Sequence, residues 1–304
     1  MGMGQDMDGV QTLYSDEVQS FIREHSEGDY VLLDVRQPAE YAQAHLPGAR
    51  LIPLPQLTDS LQELNVAKPI IVYCAVGGRS RMASQLLKNL GFKDVFHLQG
   101  GIQAWEDRTA TGPREFHLNF IKGEESPDEI ILLAYRMEEG LKKFHEAFQA
   151  KTDDAALSAL LTGLIKAEES HEKTLLELRP KDRLALAFPA GEAPPERIGE
   201  NSDTFGSRLM EGGIDMNAFM EENQQFLNDV PGYLDLAMMI ETQALDLYLR
   251  MAADSKNELT RKILHRIGNE EKAHLELLGK YLNDNSSISD KPLEGRHNDD
   301  NGHA

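Results

Sequence analysis

The feature that most constrains this chain is a set of three residues that occurs twice with one spacing. In each copy a glutamate is followed thirty residues later by a Glu-x-x-His motif, and the two copies lie 103 positions apart. Residues three positions apart share one face of an α-helix, so each motif places a carboxylate beside an imidazole. The six residues are Glu138, Glu168, His171, Glu241, Glu271 and His274.

The positions of the turns predict that each copy lies on an antiparallel pair of helices. Helical periodicity covers residues 126–149 and 155–178 in the first copy, and residues 233–252 and 258–282 in the second. The midpoint between the two glutamates of each copy falls in the break between its helices. Residues that are equally far from such a turn lie side by side. Each pair of helices therefore brings its two glutamates and its histidine to one level.

These acids lie on apolar faces of the predicted helices. By contrast, Glu139 shares its face with Lys142 and Lys143 and is predicted to be solvated. Glu169 and Glu270 are predicted to lie either behind the ligands or at the surface. A carboxylate in an apolar core is costly unless it is paired or binds a metal. Two divalent cations would neutralise four such carboxylates. Mixed carboxylate and imidazole ligands suit Fe or Mn, with Zn as an alternative.

The first third of the chain has a different pattern, in which short apolar runs alternate with helical stretches. Strands are predicted at residues 30–35, 69–74 and 95–98, and helices at residues 15–23 and 81–90. Strands that alternate with helices indicate an α/β domain, and continuous apolar runs indicate parallel strands covered on both faces.

One loop of this region has the composition of a reactive thiol site. Cys74 ends the second predicted strand and begins the segment Cys-Ala-Val-Gly-Gly-Arg79, which leads into a helix. A helix N-terminus and a nearby guanidinium lower the pKa of a thiol, and paired glycines let backbone N–H groups form a nest for an anion. Since Cys74 is the only cysteine, an intramolecular disulfide and a four-cysteine metal site are excluded. The alternative of a buried, inert Cys74 is disfavoured by the glycines and the arginine.

Residues 10–107 resemble a single rhodanese domain. The segments that carry the resemblance are Leu33-Asp-Val-Arg36, Glu40-Tyr41, His45-Leu-Pro-Gly-Ala49, the Cys74–Arg79 loop and Leu98-Gln-Gly-Gly-Ile-x-x-Trp105. The resemblance implies that Cys74 accepts a sulfane sulfur and passes it to a nucleophile, with Arg79 as a second catalytic residue. The residues that would bind the substrate as a persulfide cradle are Ala75, Val76, Gly77 and Gly78. Those expected to have structural or packing roles are Asp34, Arg36, His45 and Trp105.

Residues 126–282 resemble the rubrerythrin and ferritin-like family of four-helix bundles, through the repeated Glu and Glu-x-x-His set. The resemblance implies two iron ions held by all six residues, with Glu168 and Glu271 as bridging ligands. Tyr248 and its counterpart His145 would either contact the ligands from behind or simply pack in the core. Rubrerythrins carry a further glutamate where this chain has Ala244, and they usually carry a four-cysteine iron domain, which one cysteine cannot form. These two departures count against peroxide reduction of the rubrerythrin kind.

The predicted organisation is multi-domain. A rhodanese-like α/β domain with a parallel sheet covers residues 10–112, a linker 113–125, an all-α ferritin-like bundle 126–282 and a disordered tail 283–304. A loop rich in proline and glycine and a short helix, at residues 179–202 and 216–226, lie in the connection between the two helix pairs.

Composition restricts the partners. The formal net charge of −20 would repel nucleic acid and anionic membrane surfaces, so neither is expected as a partner. The sequence has no signal-peptide pattern and no apolar run long enough to span a membrane, which predicts a cytoplasmic protein. The partners expected are small sulfur donors, thiol acceptors, an unidentified electron donor and a second copy of the chain in a homodimer.

Together these patterns predict a sulfurtransferase that acts through a Cys74 persulfide and is coupled to a di-iron oxidoreductase acting on dioxygen, peroxide or a persulfide. One alternative is a protein that senses persulfide or iron redox state without turnover. A further alternative is iron storage, in which many irons rather than two would accumulate in each chain.

Overall fold

The computed structural model describes residues 10–116, 118, 123–178, 209–223 and 229–289. Within these ranges the N-terminal part is an α/β domain with a parallel sheet and the C-terminal part is mainly helical, as predicted. None of the helices in the described ranges combines the length and the apolar character that crossing a membrane requires.

The α/β domain is built on one five-stranded sheet. Its strands are β1 (Gln11–Leu13), β2 (Val31–Asp34), β3 (Arg50–Leu51), β4 (Ile70–Tyr73) and β5 (Val95–Leu98). Their order is β1-β5-β4-β2-β3 and every pairing is parallel. The central strand β4 is buried along its whole length, because helices cover both faces of a parallel sheet. The edge strands β1 and β3 escaped sequence analysis because two or three residues show no periodicity.

Three helices belong to this domain: α1 (Ser15–Glu24), α2 (Pro38–Gln43) and α3 (Gly78–Asn89). Helix α3 begins three residues before the predicted start at Arg81. Gly77 occupies its N-cap with a positive φ of 102°, a conformation that glycine adopts without strain. The chain therefore passes from β4 to α3 through only Cys74–Gly77.

The first helix pair consists of α4 (Pro127–Gln149) and α5 (Ala155–Glu177), close to the predicted limits. Ser126 caps α4 in a capping box with Glu129, and Asp154 caps α5 by accepting hydrogen bonds from two backbone N–H groups. The capping residues fix where each helix begins, and hence the level of the acids along it.

A small hairpin follows in the described part of the connection. Strands β6 (Leu209–Met210) and β7 (Ile214–Asp215) pair antiparallel, and the short helix α6 (Met216–Glu222) comes directly after them. The predicted helix at 216–226 thus ends at Glu222, and residues 224–228 lie outside the described ranges, as does the predicted loop at 179–202.

The second helix pair consists of α7 (Val230–Asp254) and α8 (Glu258–Ser289). Each pair packs internally, α4 also contacts α8, and α5 also contacts α7. Helix α8 continues to Ser289, into the segment predicted to be a disordered tail, because neither glycine nor proline interrupts it there. The rest of that tail lies outside the described residues.

The α/β domain docks against α7 and α8 through buried polar contacts. Asp246 of α7 accepts hydrogen bonds from His45 Nε2 at 3.1 Å, from the Gly48 N–H at 2.9 Å and from Arg250 Nε at 2.7 Å. Arg250 in turn donates to the carbonyls of Arg114 and Phe116. The start of the predicted linker is thereby tied to α7, and Asp246 is fully buried.

Helix α8 makes a second attachment through Lys272. Its ammonium donates to the carbonyls of Ile22 and His25, at 2.9 and 2.7 Å, and pairs with Glu27 at 3.1 Å. A cation at these carbonyls satisfies the unpaired C-terminal end of α1 and complements its dipole.

Candidate functional site

The Cys74 loop holds the sulfur atom in a ring of backbone groups. Cys74 is buried, and its Sγ accepts a hydrogen bond from the Gly77 N–H at 3.1 Å. Gly77 is also the N-cap of α3, and its positive φ lets the helix begin directly beside the sulfur. The loop therefore presents a sulfur anion to aligned N–H dipoles.

The surroundings lower the pKa of the Cys74 thiol. Burial alone would raise it, but hydrogen bonds from the Ser80 hydroxyl and from the N–H groups of Ser80, Gly77 and Val76 outweigh burial. The Ser80 hydroxyl also lies 3.0 Å from the Gly77 carbonyl and 3.3 Å from His97 Nδ1, so its rotation decides which acceptor it serves. A lowered thiol pKa increases the thiolate available for nucleophilic attack.

Arg79 lies beside this loop in a two-pronged ion pair. Its Nη1 and Nη2 atoms donate to the two carboxylate oxygens of Glu40, on α2, at 2.7 and 2.6 Å. The pair lowers the pKa of Glu40 to about 2 and raises that of Arg79, to which the Cys74 sulfur also contributes. Glu40 thus orients the guanidinium near the sulfur, a role that its place in the sequence motif did not reveal.

The Leu98–Gly101 motif forms the wall behind the loop. The carbonyls of Cys74 and Ala75 accept hydrogen bonds from the N–H groups of Ile102 and Gln103, at 2.8 and 3.1 Å. A Cβ atom on Gly101 would collide with the Cys74 carbonyl, so only glycine permits this approach. The conformation of the cradle is therefore set from outside the loop as well as within it.

The residues expected to be structural have structural contacts. Arg36 Nη2 pairs with Asp34 Oδ2 at 2.6 Å in the buried interior and also donates to the Ala44 carbonyl. His45 contacts the Tyr41 carbonyl as well as Asp246. Trp105 packs against the core and donates to the Arg108 carbonyl.

The structure brings all six repeated residues together between the four long helices. Their ligand atoms form three overlapping groups, each with its members within 4.8 Å of one another. The groups are Glu168, His171 and His274; Glu138, His171 and Glu271; and Glu241, Glu271 and His274. Each histidine lies in two of the three groups, and these bring it close to glutamates of both helix pairs. The spacing of the repeat predicts that the six residues meet in this way.

Buried polar atoms without partners show that this cluster suits a cation. All four glutamates are at most 1% exposed, and each has at least one oxygen that no donor among the described residues reaches. Two histidine–carboxylate contacts in the cluster are His274 Nδ1 to Glu241 Oε1 at 3.2 Å and His171 Nδ1 to Glu138 Oε1 at 3.4 Å. Buried carboxylates are normally paired or bound to metal, so the residues fit a site for two metal ions.

The pKa values reflect the crowding of like charges. Burial, followed by the neighbouring carboxylates, raises the pKa of Glu138 and Glu271 well above the usual range. Burial acts the same way on Glu241, but His274 overrides it and brings the Glu241 pKa down to about 2. In return Glu241 raises the pKa of His274 to about 9, although burial would lower it.

A fifth carboxylate, which sequence analysis missed, faces the same cluster. Glu211 lies between β6 and β7, is fully buried, and has two oxygens that no donor in the described ranges reaches. Burial, then Glu241 and Glu168, raises its pKa well above the usual range. The one signal in the sequence is an isolated glutamate between Met210 and two glycines, in a segment with no helical period.

Behind the cluster, His145 and Tyr248 have different contacts. The Tyr233 hydroxyl lies 2.6 Å from His145 Nδ1, and the other ring nitrogen of His145 lies 3.5 Å from Glu168 Oε1. Neither His145 Nε2 nor Glu168 Oε1 has a hydrogen-bond partner among the described residues, so His145 packs behind this predicted ligand without donating to it. The Tyr248 hydroxyl contacts the sulfur of Met137.

The cysteine loop and the carboxylate cluster lie on different sides of the α/β domain. Gly28 and Gly48, which precede β2 and β3, contact His265 of α8 and Leu249 of α7. Helices α7 and α8 therefore cover the side of the sheet where the strands begin, whereas Cys74 follows the C-terminal end of β4. In a parallel sheet the N-terminal and C-terminal ends of the strands lie on opposite sides.

The fold and the loop define an α/β domain that presents one activated thiol. Residues 17–108 match the family model described as a rhodanese-like domain. The chain also covers 74% of the thiosulfate sulfurtransferase GlpE of Pseudoalteromonas translucida, at 35% identity over 78 residues, or 26% of this chain. The chain belongs to the rhodanese family through this domain.

Two further relatives are similar to a comparable share of this chain. A sulfurtransferase of Allochromatium vinosum is 36% identical over 77 residues, which are 25% of this chain and 72% of that protein. The uncharacterized protein YqhL of Bacillus subtilis is 40% identical over 74 residues, which are 24% of this chain and 59% of that protein. The similarity to YqhL thus spans less than two thirds of its length.

Proposed function

We propose that this protein transfers sulfane sulfur through a persulfide on Cys74. The Cys74 thiolate attacks the outer sulfur of a donor such as thiosulfate, and a bond forms between Sγ and that sulfur. The sulfur–sulfur bond of the donor breaks, and sulfite leaves with the electron pair. An acceptor thiolate then attacks the terminal sulfur and releases Cys74 as a thiolate.

The observation that carries this proposal is the Gly77 N–H directed at Sγ in a loop that begins a helix. Aligned N–H groups stabilise the thiolate before transfer and the persulfide anion after it. Arg79, held by Glu40, adds positive charge where an anionic donor would enter. Two relatives named as sulfurtransferases support the same chemistry.

Thiocyanate formation from thiosulfate and cyanide tests this proposal. Cys74→Ser should abolish turnover, because serine cannot form a persulfide. Met82→Ala, at an exposed position on α3, serves as the control and should turn over like the wild type. Turnover that survives in Cys74→Ser would remove this residue from the mechanism.

We further propose that residues 126–282 form a ferritin-like bundle with two metal ions, iron in the first place and manganese or zinc as alternatives. Glu138, Glu168, His171, Glu241, Glu271 and His274 would hold them, and bound iron would supply redox chemistry with dioxygen, peroxide or a persulfide. The support is the set of buried carboxylate oxygens without donors at one level between the helices. His145, whose Nε2 lies 3.5 Å from Glu168 Oε1, would pack behind that ligand.

Metal analysis of protein purified with and without oxygen tests this second proposal. Two ions per chain are expected, with a loss of at least one in Glu271→Gln. Glu139→Gln is the matched control, because Glu139 pairs with Lys143 on the outer face of α4 and is partly exposed. A wild type that binds no iron, manganese or zinc would overturn the proposal, and many irons per chain would favour storage instead.

The opposite placement of the two sites favours separate reactants over direct transfer between them. A small thiol that carries the transferred sulfur as a persulfide would leave the Cys74 loop and reach the carboxylate cluster by diffusion. If the purified protein forms no thiocyanate and consumes no peroxide with a supplied reductant, a sensor that binds sulfur or iron without turnover becomes the better description.

A further inference from the structure

Glu211 has an environment that an ordinary buried residue does not have. It is fully buried, and its two carboxylate oxygens have no hydrogen-bond donor among the described residues. The turn that carries it packs against α4 and α7, the helices of Glu138 and Glu241. Carboxylates of all four long helices act on its charge: Glu138, Glu168, Glu241 and Glu271. Every one of them is a carboxylate, and neither oxygen of Glu211 has a hydrogen-bond partner among the described residues.

The hairpin is built to bring Glu211 to this position. Gly212 and Gly213 follow it with positive φ values of 67° and 72°, which glycine adopts without strain. A Cβ atom on Gly212 would lie 2.9 Å from Gln243 Cβ and 3.2 Å from the Ala244 nitrogen. Any larger residue would push the hairpin off α7, one turn after Glu241. The small Ala244 is itself fully buried.

The packing of the hairpin on both helix pairs supports the same view. The Glu211–Gly213 turn packs against α7 and α4, and β6 packs against α4. The carboxylate is therefore held by well-packed backbone and does not enter the cluster by chance. A buried ionised carboxylate close to several others is stable only if a cation lies among them or if it takes up a proton.

We propose that Glu211 is a seventh ligand of the metal centre, supplied by the connection between the helix pairs. This inference rests on the proposed two-metal site and extends it. The site would then hold five carboxylates and two imidazoles, a set that suits iron or manganese. The additional negative charge would favour the higher oxidation state of the metal.

The competing role for Glu211 is a neutral acid that donates a hydrogen bond to Glu138 or Glu241. Glutamine imitates the neutral acid in shape and as a donor, but it is a poor ligand for a hard cation. Glu211→Gln therefore separates the two roles. Glu139→Gln carries the same change on the outer face of α4 and is the matched control.

The experiment is anaerobic titration of metal-free, full-length protein with ferrous ion, followed by the optical spectrum after exposure to oxygen. Wild type and Glu139→Gln should bind two ions per chain. Glu211→Gln should lose at least tenfold in affinity for one or both ions and show an altered ferric spectrum. Glu211→Asp, which keeps the charge but shortens the side chain, should fall between them.

Two results would overturn the inference in different ways. If wild type and Glu211→Gln bind two ions with equal affinity and equal spectra, Glu211 is a neutral structural acid and the two-metal site stands. If the wild type binds no ion, the two-metal site itself fails and Glu211 falls with it. Circular dichroism of the metal-free variants shows whether each is folded, and Glu211→Asp provides the comparison if Glu211→Gln is not.

Discussion

Replacing Asp246 with alanine should make the α/β domain and the helical part of the chain unfold in separate transitions. Asp246 is fully buried and accepts hydrogen bonds from His45 and Gly48 of the α/β domain and from Arg250 of its own helix. These donors keep the pKa of Asp246 below its usual value although burial would raise it. The variant would leave the Arg250 guanidinium, itself almost completely buried, without its counter-ion.

The cost follows from which partner remains. Removing one member of a buried ion pair destabilises a protein by about 3–5 kcal/mol, because the other charge stays buried and uncompensated. Arg250 still reaches two carbonyls, which places the expected loss near the lower end, about 3 kcal/mol. Asp235→Ala removes a pair with Arg108 that spans the same two parts of the chain but is exposed, and should cost at most about 1 kcal/mol.

Urea unfolding followed with two probes measures this difference. Fluorescence of Trp105, the only tryptophan, reports on the α/β domain, and circular dichroism at about 222 nm reports mainly on the helices. The two transitions should coincide in the wild type and in Asp235→Ala, and should separate in Asp246→Ala. Coincident transitions in Asp246→Ala, with a loss no greater than in Asp235→Ala, would refute the reasoning.

Three other predictions concern the two candidate sites. Because the pKa of Cys74 is lowered, alkylation by iodoacetamide should reach half its maximal rate below about pH 8.5, and Ser80→Ala should move that midpoint upward. Gly101→Ala should reduce thiocyanate formation at least tenfold while the protein stays folded by circular dichroism, because the added methyl collides with the Cys74 carbonyl. In metal-free protein, the raised pKa of Glu211 means that the folded state binds the extra proton, so wild-type stability should fall relative to Glu211→Gln as the pH rises above about 4.5. The difference in unfolding free energy between the two proteins should grow by up to about 1.4 kcal/mol per pH unit until the folded-state pKa is passed. The same difference at pH 5 and at pH 8 in denaturant titrations would contradict the prediction.

Periodic elements could be read from the sequence, and isolated ones could not. The two helix pairs and the meeting of six repeated residues follow from spacing, because a helix fixes the direction of every third or fourth side chain. Glu211 has no such period, since it sits in a turn between two-residue strands. Its position depends on how the hairpin packs on α7, which only the folded chain determines.

Contacts between distant segments were equally hidden. The thiol loop was predictable because strand, glycines and helix follow one another along the chain. The ion pair of Arg79 with Glu40 joins residues 39 positions apart, and the hydrogen bond of His45 with Asp246 joins residues 201 positions apart. His45 was correctly expected to be structural, yet nothing near it in the sequence indicates an acidic partner in the other half of the molecule.

Lys272 lies on the same turn of α8 as Glu271 and His274, but its side chain points away from the cluster and donates to carbonyls at the C-terminal end of α1. Asp246 holds α7 in a similar way, little more than one turn beyond Glu241. The α/β domain therefore packs along the two helices that form one side of the carboxylate cluster and restrains their positions. Neither of these two contacts involves α4 or α5, so they attach only one helix pair to the α/β domain. We expect that the cluster opens to an ion or a small oxidant by movement of α4 and α5, while α7 and α8 keep their register.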